Sequence, residues 1–106
     1  MLDQAITFGP FSLDPRAGLL RGRRSVRLTP RALAVLCLLA GERGRVVPKE
    51  EIFRAVWRGS AVGDAALATC IQELRRALHD RAGKPRYIET LHRRGYRFIS
   101  PPAVPR

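Results

Sequence analysis

The sequence predicts an α+β domain: an N-terminal antiparallel sheet, then three helices, then a C-terminal β-hairpin. Three observations carry this. The first stretch alternates and turns often, the middle holds apolar residues at helical spacing, and the end pairs two short β-type runs around a basic turn.

The runs 5-AITF-8 and 11-FSL-13 are strand-like and separated by Gly9-Pro10, and 18-GLLRGRRSVRL-28 reads as two strands around a Gly22-Arg23-Arg24 turn. Leu20, Val26 and Leu28 are expected to supply the buried face of this sheet. In the first helix, Thr29 is a suitable N-cap, Pro30 suits the first helical position, and 31-RALAVLCLLA-40 is apolar on nearly every side. A helix apolar all round is buried on several faces, which makes this the central one. Gly41 and Gly44 are placed to end it, and 45-RVV-47 reads as a short extended link. The second helix starts at Pro48, with Ile52, Phe53, Val56 and Trp57 on one apolar stripe. Glu50 and Glu51 stand in its first turn, where the helix dipole favours carboxylates. After the loop 58-RGSAVG-63, Asp64 is read as the cap of a third helix, 65-AALATCIQELRRALH-79. Its Leu67, Ile71, Leu74 and Leu78 recur at i, i+4, i+7 and i+11 and form one narrow core face. Beyond the loop 80-DRAGKP-85, the runs 86-RYIETL-91 and 95-GYRFIS-100 are the arms of a hairpin tipped by His92, Arg93 and Arg94, and Gly95 is expected to permit the tight turn. The Pro-rich end 101-PPAVPR-106 reads as a linker or frayed tail, so the expected division is a folded unit over 1–100 and a tail over 101–106.

At 106 residues, 45% of them hydrophobic, the chain is long enough for one small packed domain and too apolar for disorder. No apolar run approaches ~18–20 residues, and the N-terminus lacks a basic start followed by a long apolar run. A cytoplasmic setting without membrane contact is the expectation. The net charge is +11, from 20 basic residues against 9 acidic, and 18 of the basic residues are Arg. A field of that sign attracts polyanions, with nucleic acid first among them. A GC-rich coding sequence would explain Arg over Lys but not the excess of base over acid. Cys37 and Cys70 each lie in a helical apolar pattern and form no CxxC pair, so both are expected as reduced core residues. No cofactor is expected and an enzyme is disfavoured. There is no metal-ligand spacing, phosphate-cradling glycine loop or nucleophile motif, and His79 and His92 lack carboxylate or Cys partners at useful spacing.

The third helix carries the informative surface. Opposite its core face lie Ala65, Thr69, Gln72 and Arg76, with Ala68, Glu73 and Arg75 on the flanks. A helix entering a DNA major groove needs this mixture. Small side chains let the backbone approach, Gln can pair with adenine and Arg with guanine through two hydrogen bonds, and Thr can touch a thymine methyl. An ordinary solvated face uses the same residue types, so the helix alone leaves both readings open. With the second helix it makes a helix-turn-helix-like pair with a long connecting loop. Lys49 is placed to meet a phosphate, and Trp57 reads equally as a core ring or as an outward N–H donor. A hairpin beside the third helix would bring His92, Arg93 and Arg94 to a neighbouring minor groove, where arginine gains from the enhanced negative potential. Thr90 and Tyr96 offer hydroxyls to flanking phosphates.

Four stretches in order, 28-LTPRALAVLCLLA-40, 44-GRVVPKEEIFRAVW-57, 64-DAALATCIQELRRAL-78 and 87-YIETLHRRGYRF-98, resemble the winged-helix DNA-binding domain of OmpR/PhoB-type transcriptional regulators. The resemblance runs from about Phe8 to Ser100. It implies a winged helix-turn-helix with a four-stranded N-terminal antiparallel sheet, a third helix (64–79) in the major groove of double-stranded DNA, and a wing (86–100) at the minor groove. It places Gln72, Glu73 and Arg75 at recognition-helix contacts, and Thr90, His92, Arg93 and Arg94 at wing contacts. Lys49, Trp57 and Tyr96 fall at backbone contacts. Family members often carry more basic residues at 72 and 73 and polar ones at 65 and 68. The wing's HRRG also differs from a common RGxG form, and is closer to the ToxR/CadC-like subgroup with the domain at the N-terminus. The resemblance further implies head-to-tail copies on promoter direct repeats. The alternative reading is a winged-helix protein-interaction module contacting RNA polymerase or another regulator domain, since the 58–63 loop lies where this family often meets RNA polymerase or a neighbouring copy. The resemblance also implies a sensor, membrane segment or ATPase following in the parent protein.

Overall fold

A computed structural model of the chain describes residues 5–58, 60 and 62–99. The 101–106 tail expected from the sequence lies outside the described residues.

The N-terminal strands β1 (Ile6–Phe8), β2 (Phe11–Asp14), β3 (Leu19–Arg21) and β4 (Ser25–Arg27) form an antiparallel sheet in sequential order. Its turns are set by local chemistry. Gly9 takes a positive φ between the paired Phe8 and Phe11. The Asp14 carboxylate accepts from the backbone N–H of Arg16 (3.1 Å) and Ala17 (3.2 Å), closing the β2–β3 turn. Phe8, Leu13, Leu20 and Leu28 are buried beneath the sheet. Val26 departs from expectation: it is 37% exposed, and every residue of β4 is exposed. The strand pattern alone suggested burial, but β4 is an edge strand and nothing covers Val26.

Helix α1 (Pro30–Gly41) is the central helix, burying Ala32, Val35, Leu36, Cys37, Leu39 and Ala40. Thr29 stands at its N-cap, but its hydroxyl makes no local capping bond. The segment 45–47 is more than a link. Its β5 (Val46–Val47) pairs with β7 (Gly95–Phe98), which pairs in turn with β6 (Ile88–Leu91), giving a second antiparallel sheet in the order β5-β7-β6.

Helix α2 (Lys49–Ile52) continues as a π-helical turn over Phe53–Trp57. Ile52 and Trp57, five residues apart across that wider turn, are both buried. Helix α3 (Asp64–Leu78) has Gly63 at its N-cap, so Asp64 is its first residue and not the cap. It ends at His79, which adopts the left-handed conformation (φ 56°). Asp80, buried, then accepts hydrogen bonds from the backbone N–H groups of Arg86 (2.7 Å), Tyr87 (3.2 Å) and Ile88 (2.9 Å), tying the end of α3 to the start of the hairpin. The two sheets meet through rings: Phe8 lies edge-on to Phe98 at 5.0 Å, and Phe11 edge-on to Tyr87 at 5.5 Å.

Candidate nucleic-acid interface

The amphipathic pattern of α3 folds as read. Leu67, Cys70, Ile71, Leu74 and Leu78 are buried, while Ala65, Ala68, Thr69, Gln72 and Arg76 form an exposed stripe. The Thr69 hydroxyl donates to the Ala65 carbonyl one turn back (2.9 Å), which leaves its methyl as the group free to meet a partner.

Two sequence-predicted contact residues of α3 are engaged within the domain. The Glu73 carboxylate reaches the start of α1, where it accepts from the Thr29 N–H (2.8 Å) and the Thr29 hydroxyl (2.7 Å). It thereby satisfies the N–H of the N-cap residue itself, the bond that a Glu or Gln at the third helical position makes in a capping box and that Ala32 cannot make, at the end of α1 where the dipole favours an anion. Arg75 turns the other way. One guanidinium nitrogen donates to both the Ile88 carbonyl (2.9 Å) and the Thr90 hydroxyl (2.8 Å), so Arg75 and Thr90 lock α3 to the first arm of the hairpin.

The hairpin turn exposes His92, Arg93 and Arg94. It closes through the Arg94 N–H donating to the Leu91 carbonyl (2.9 Å), with Arg93 in the left-handed region (φ 63°). Gly95 therefore does more than permit a turn. With φ at 141°, a Cβ on Gly95 would stand 2.1 Å from the Val47 carbonyl oxygen, so only glycine lets β7 close against β5. This contact sets the turn beside the N-terminal ends of α2 and α3. There Arg93 and Arg94 share a cleft of about 260 Å³ with Lys49, Glu50, Phe53 and Asp64. Lys49 reaches Asp64 at 3.4 Å, an exposed pair that leaves the ammonium open to water.

Trp57 and Tyr96 are buried, at 6% and 8% exposure. The core reading of Trp57 is the one the structure supports, and Phe53 packs on its ring at 5.6 Å. Arg31, which sequence reasoning did not single out, lies over the Trp57 ring at 5.4 Å and donates to the Val56 carbonyl (2.8 Å). Arg45 is likewise new. It bridges Glu42 and Glu51 and holds the Glu51 carboxyl below its usual range, through hydrogen bonding first and charge second. Cys37 and Cys70 are free, and burial pushes both thiols up. Among the described residues there is no cluster of His, Cys, Asp and Glu suited to a metal ion, and no helix is long and apolar enough to cross a membrane.

Comparison with known proteins bears on the family and the fold. The family described as "Transcriptional regulatory protein, C terminal" matches residues 22–98. The chain is 36% identical over 107 residues to the transcriptional regulator HilA of Salmonella typhi, covering 95% of this chain and 19% of HilA. It is 34% identical over 82 residues to the transcriptional activator CadC of Escherichia coli K12, covering 76% of this chain and 16% of CadC. The chain thus spans about a fifth or less of these two relatives. Among solved structures, the DNA-binding domain of E. coli CadC superposes with a TM-score of 0.80 at 28% identity, covering 93% of this chain and 95% of that one. The Klebsiella pneumoniae RstA DNA-binding domain, solved in complex with the RstA box, superposes with a TM-score of 0.79 at 27% identity, covering 91% and 97%.

Proposed function

The chain belongs to the transcriptional regulatory protein C-terminal family, as an OmpR/PhoB-type DNA-binding domain of a transcriptional regulator, and on that premise we propose how it reads DNA. Helix α3 enters the major groove with Ala68, Thr69, Gln72 and Arg76 toward the bases, while His92, Arg93 and Arg94 enter the adjacent minor groove. Lys49 contacts the phosphate backbone between them. Glu73, Arg75, Thr90, Trp57 and Tyr96 serve as positioning residues: they hold α3, α2 and the wing at the angles the two grooves require. Copies sit head to tail on direct repeats, and the 58–63 loop contacts RNA polymerase. Of that loop, Gly59 and Ala61 lie outside the described residues.

The observation that carries this reading is the continuity of the surface. The exposed stripe of α3 contains no carboxylate between Ala65 and Arg76 once Glu73 is engaged by Thr29, and at its N-terminal end three cations (Lys49, Arg93, Arg94) outnumber the two carboxylates beside them (Glu50, Asp64). Selection of binding sites from a random duplex library tests it. Enrichment of one motif, with affinity falling steeply as salt rises, is expected because phosphate neutralisation releases counterions. A library that returns no motif, together with no gel shift at low salt, would leave protein interaction as the function of this surface.

A further inference from the structure

A second concave surface adjoins that face and shares Arg76 with it. A cleft of about 1010 Å³ opens between the N-terminal sheet and the last turns of α3. One wall is β4, an edge strand with no strand paired on its outer side. The other wall is α3 from Arg76 to Leu78, with His79. Apolar groups line the base: Phe11, Val26, Ala77 and Tyr87. Val26 is the exposed large hydrophobic side chain among the described residues. The base is also rigid, because the Phe11 ring is held edge-on by Tyr87 at 5.5 Å and lies against Gly22, where a Cβ would approach it to 2.9 Å.

The lip of the cleft is cationic and uncompensated. Arg23, Arg24, Arg27, Arg76 and Arg86 line it, and its one carboxylate, Glu73, has both oxygens occupied by Thr29. Among the described residues, Arg23, Arg24 and Arg86 form no ion pair. Like charges gathered around an apolar hollow are unfavourable in the free domain, and an occupant that is both anionic and apolar relieves both problems.

We propose that this cleft docks an acidic peptide segment of a partner protein. An aliphatic or aromatic side chain of the segment seats on Val26 and Phe11, and its carboxylates pair with Arg23, Arg24 and Arg86. An extended segment also finds the open edge of β4 for backbone pairing. A DNA backbone would use the arginines but has no apolar group to cover Val26. A second copy of this chain offers few carboxylates. Asp14, Glu42, Glu51 and Glu89 are paired with arginines of their own chain, Asp64 with Lys49, and the Asp80 carboxylate is filled by backbone N–H groups, which among the described residues leaves Glu50 against five arginines.

The test uses two fluorescein-labelled peptides, each a short run of Asp and Glu, one with central Leu and Phe and the other with Ser at both positions. Polarisation titrations on the whole chain should give the Leu/Phe peptide about 10-fold tighter binding, the scale of burying one large apolar side chain. Amide shifts should centre on Val26 and Ala77. Val26→Ser and Arg24→Gln should each weaken the peptide several-fold while leaving duplex affinity within about 2-fold, since neither residue lies on the proposed DNA face. Equal binding of both peptides would reduce the cleft to a diffuse charge effect and overturn the proposal. So would amide shifts centred on Lys49 and Arg94. Loss of duplex affinity in Arg24→Gln as large as in Arg94→Ala would make the cleft a phosphate contact instead.

Discussion

Replacing Glu73 by Ala separates two jobs that this carboxylate could hold, reading a base or capping a helix. In the structure it accepts two hydrogen bonds, from the Thr29 N–H at 2.8 Å and the Thr29 hydroxyl at 2.7 Å. Hydrogen bonds to a charged group contribute about 1.5–3 kcal/mol when protected, and loss of an N-cap costs about 0.5–2 kcal/mol. Both bonds lie at the surface, where water replaces part of what is lost. Glu73→Ala should therefore destabilise the domain by about 1–2 kcal/mol. For a domain of this size that lowers Tm by roughly 4–16 °C. Thr29→Val removes the hydroxyl but keeps the N–H, so it should cost less, and the double mutant should cost less than the sum of the two. Removing an anion from the flank of α3 should also raise affinity for all duplexes alike, with no change of preferred site. Thermal melts followed by circular dichroism, beside titrations on selected and random duplexes, measure both effects. An unchanged Tm with a changed base preference at one position would put the Glu73 carboxylate on a base edge, and the capping argument would fail.

Gly95→Ala should cost at least about 1–3 kcal/mol from backbone strain alone. The added clash with the Val47 carbonyl should loosen the wing, visible as faster amide exchange along β7. Arg94→Ala should reduce the salt slope of duplex binding by about 1 without altering site preference, whereas Gln72→Ala should shift preference at one position by about 1–3 kcal/mol; identical responses on selected and random DNA would remove this division. Acid should destabilise the domain in a predictable window. Glu51 is held below its ordinary 4.5 by Arg45, and Asp14 below its ordinary 3.8 chiefly by the Ala17 N–H. Lowered folded-state values mean stability that is present above the ordinary pKa and lost as pH falls through the depressed one. Tm should accordingly decline on acidification below about 4.5, and Arg45→Gln should flatten the part owed to Glu51.

Much of this surface was legible from local pattern. The 3.6-residue period of Leu67, Ile71, Leu74 and Leu78 marked the buried face of α3, and by elimination the face left to a partner. The all-round apolar character of 31–40 marked α1 as central, and the basic turn at 92–94 stood out by composition. Burial of Cys37 and Cys70 followed from the same spacing. Other features left no local mark. Val26 fits a strand pattern as well as Leu20 does, and its exposure depends on β4 being the uncovered edge. The π-helical turn after Ile52 hides inside a stripe that reads as ordinary α-helix. Asp80 looks like a loop residue until three N–H groups from residues 86–88 converge on it.

The sequence by itself determined the order of elements, the core face of each helix, the cationic field and the family likeness, because these rest on residues close together in the chain or on simple sums of charge. The tertiary structure decided which polar groups remain free for DNA. Glu73 meets Thr29 from 44 residues away, Arg75 meets Thr90 across the α3–β6 turn, and β7 closes on β5 only because Gly95 has no side chain. Hydrogen bonds and steric contacts of that range depend on how helices and sheets dock, and periodicity along the chain carries no record of it.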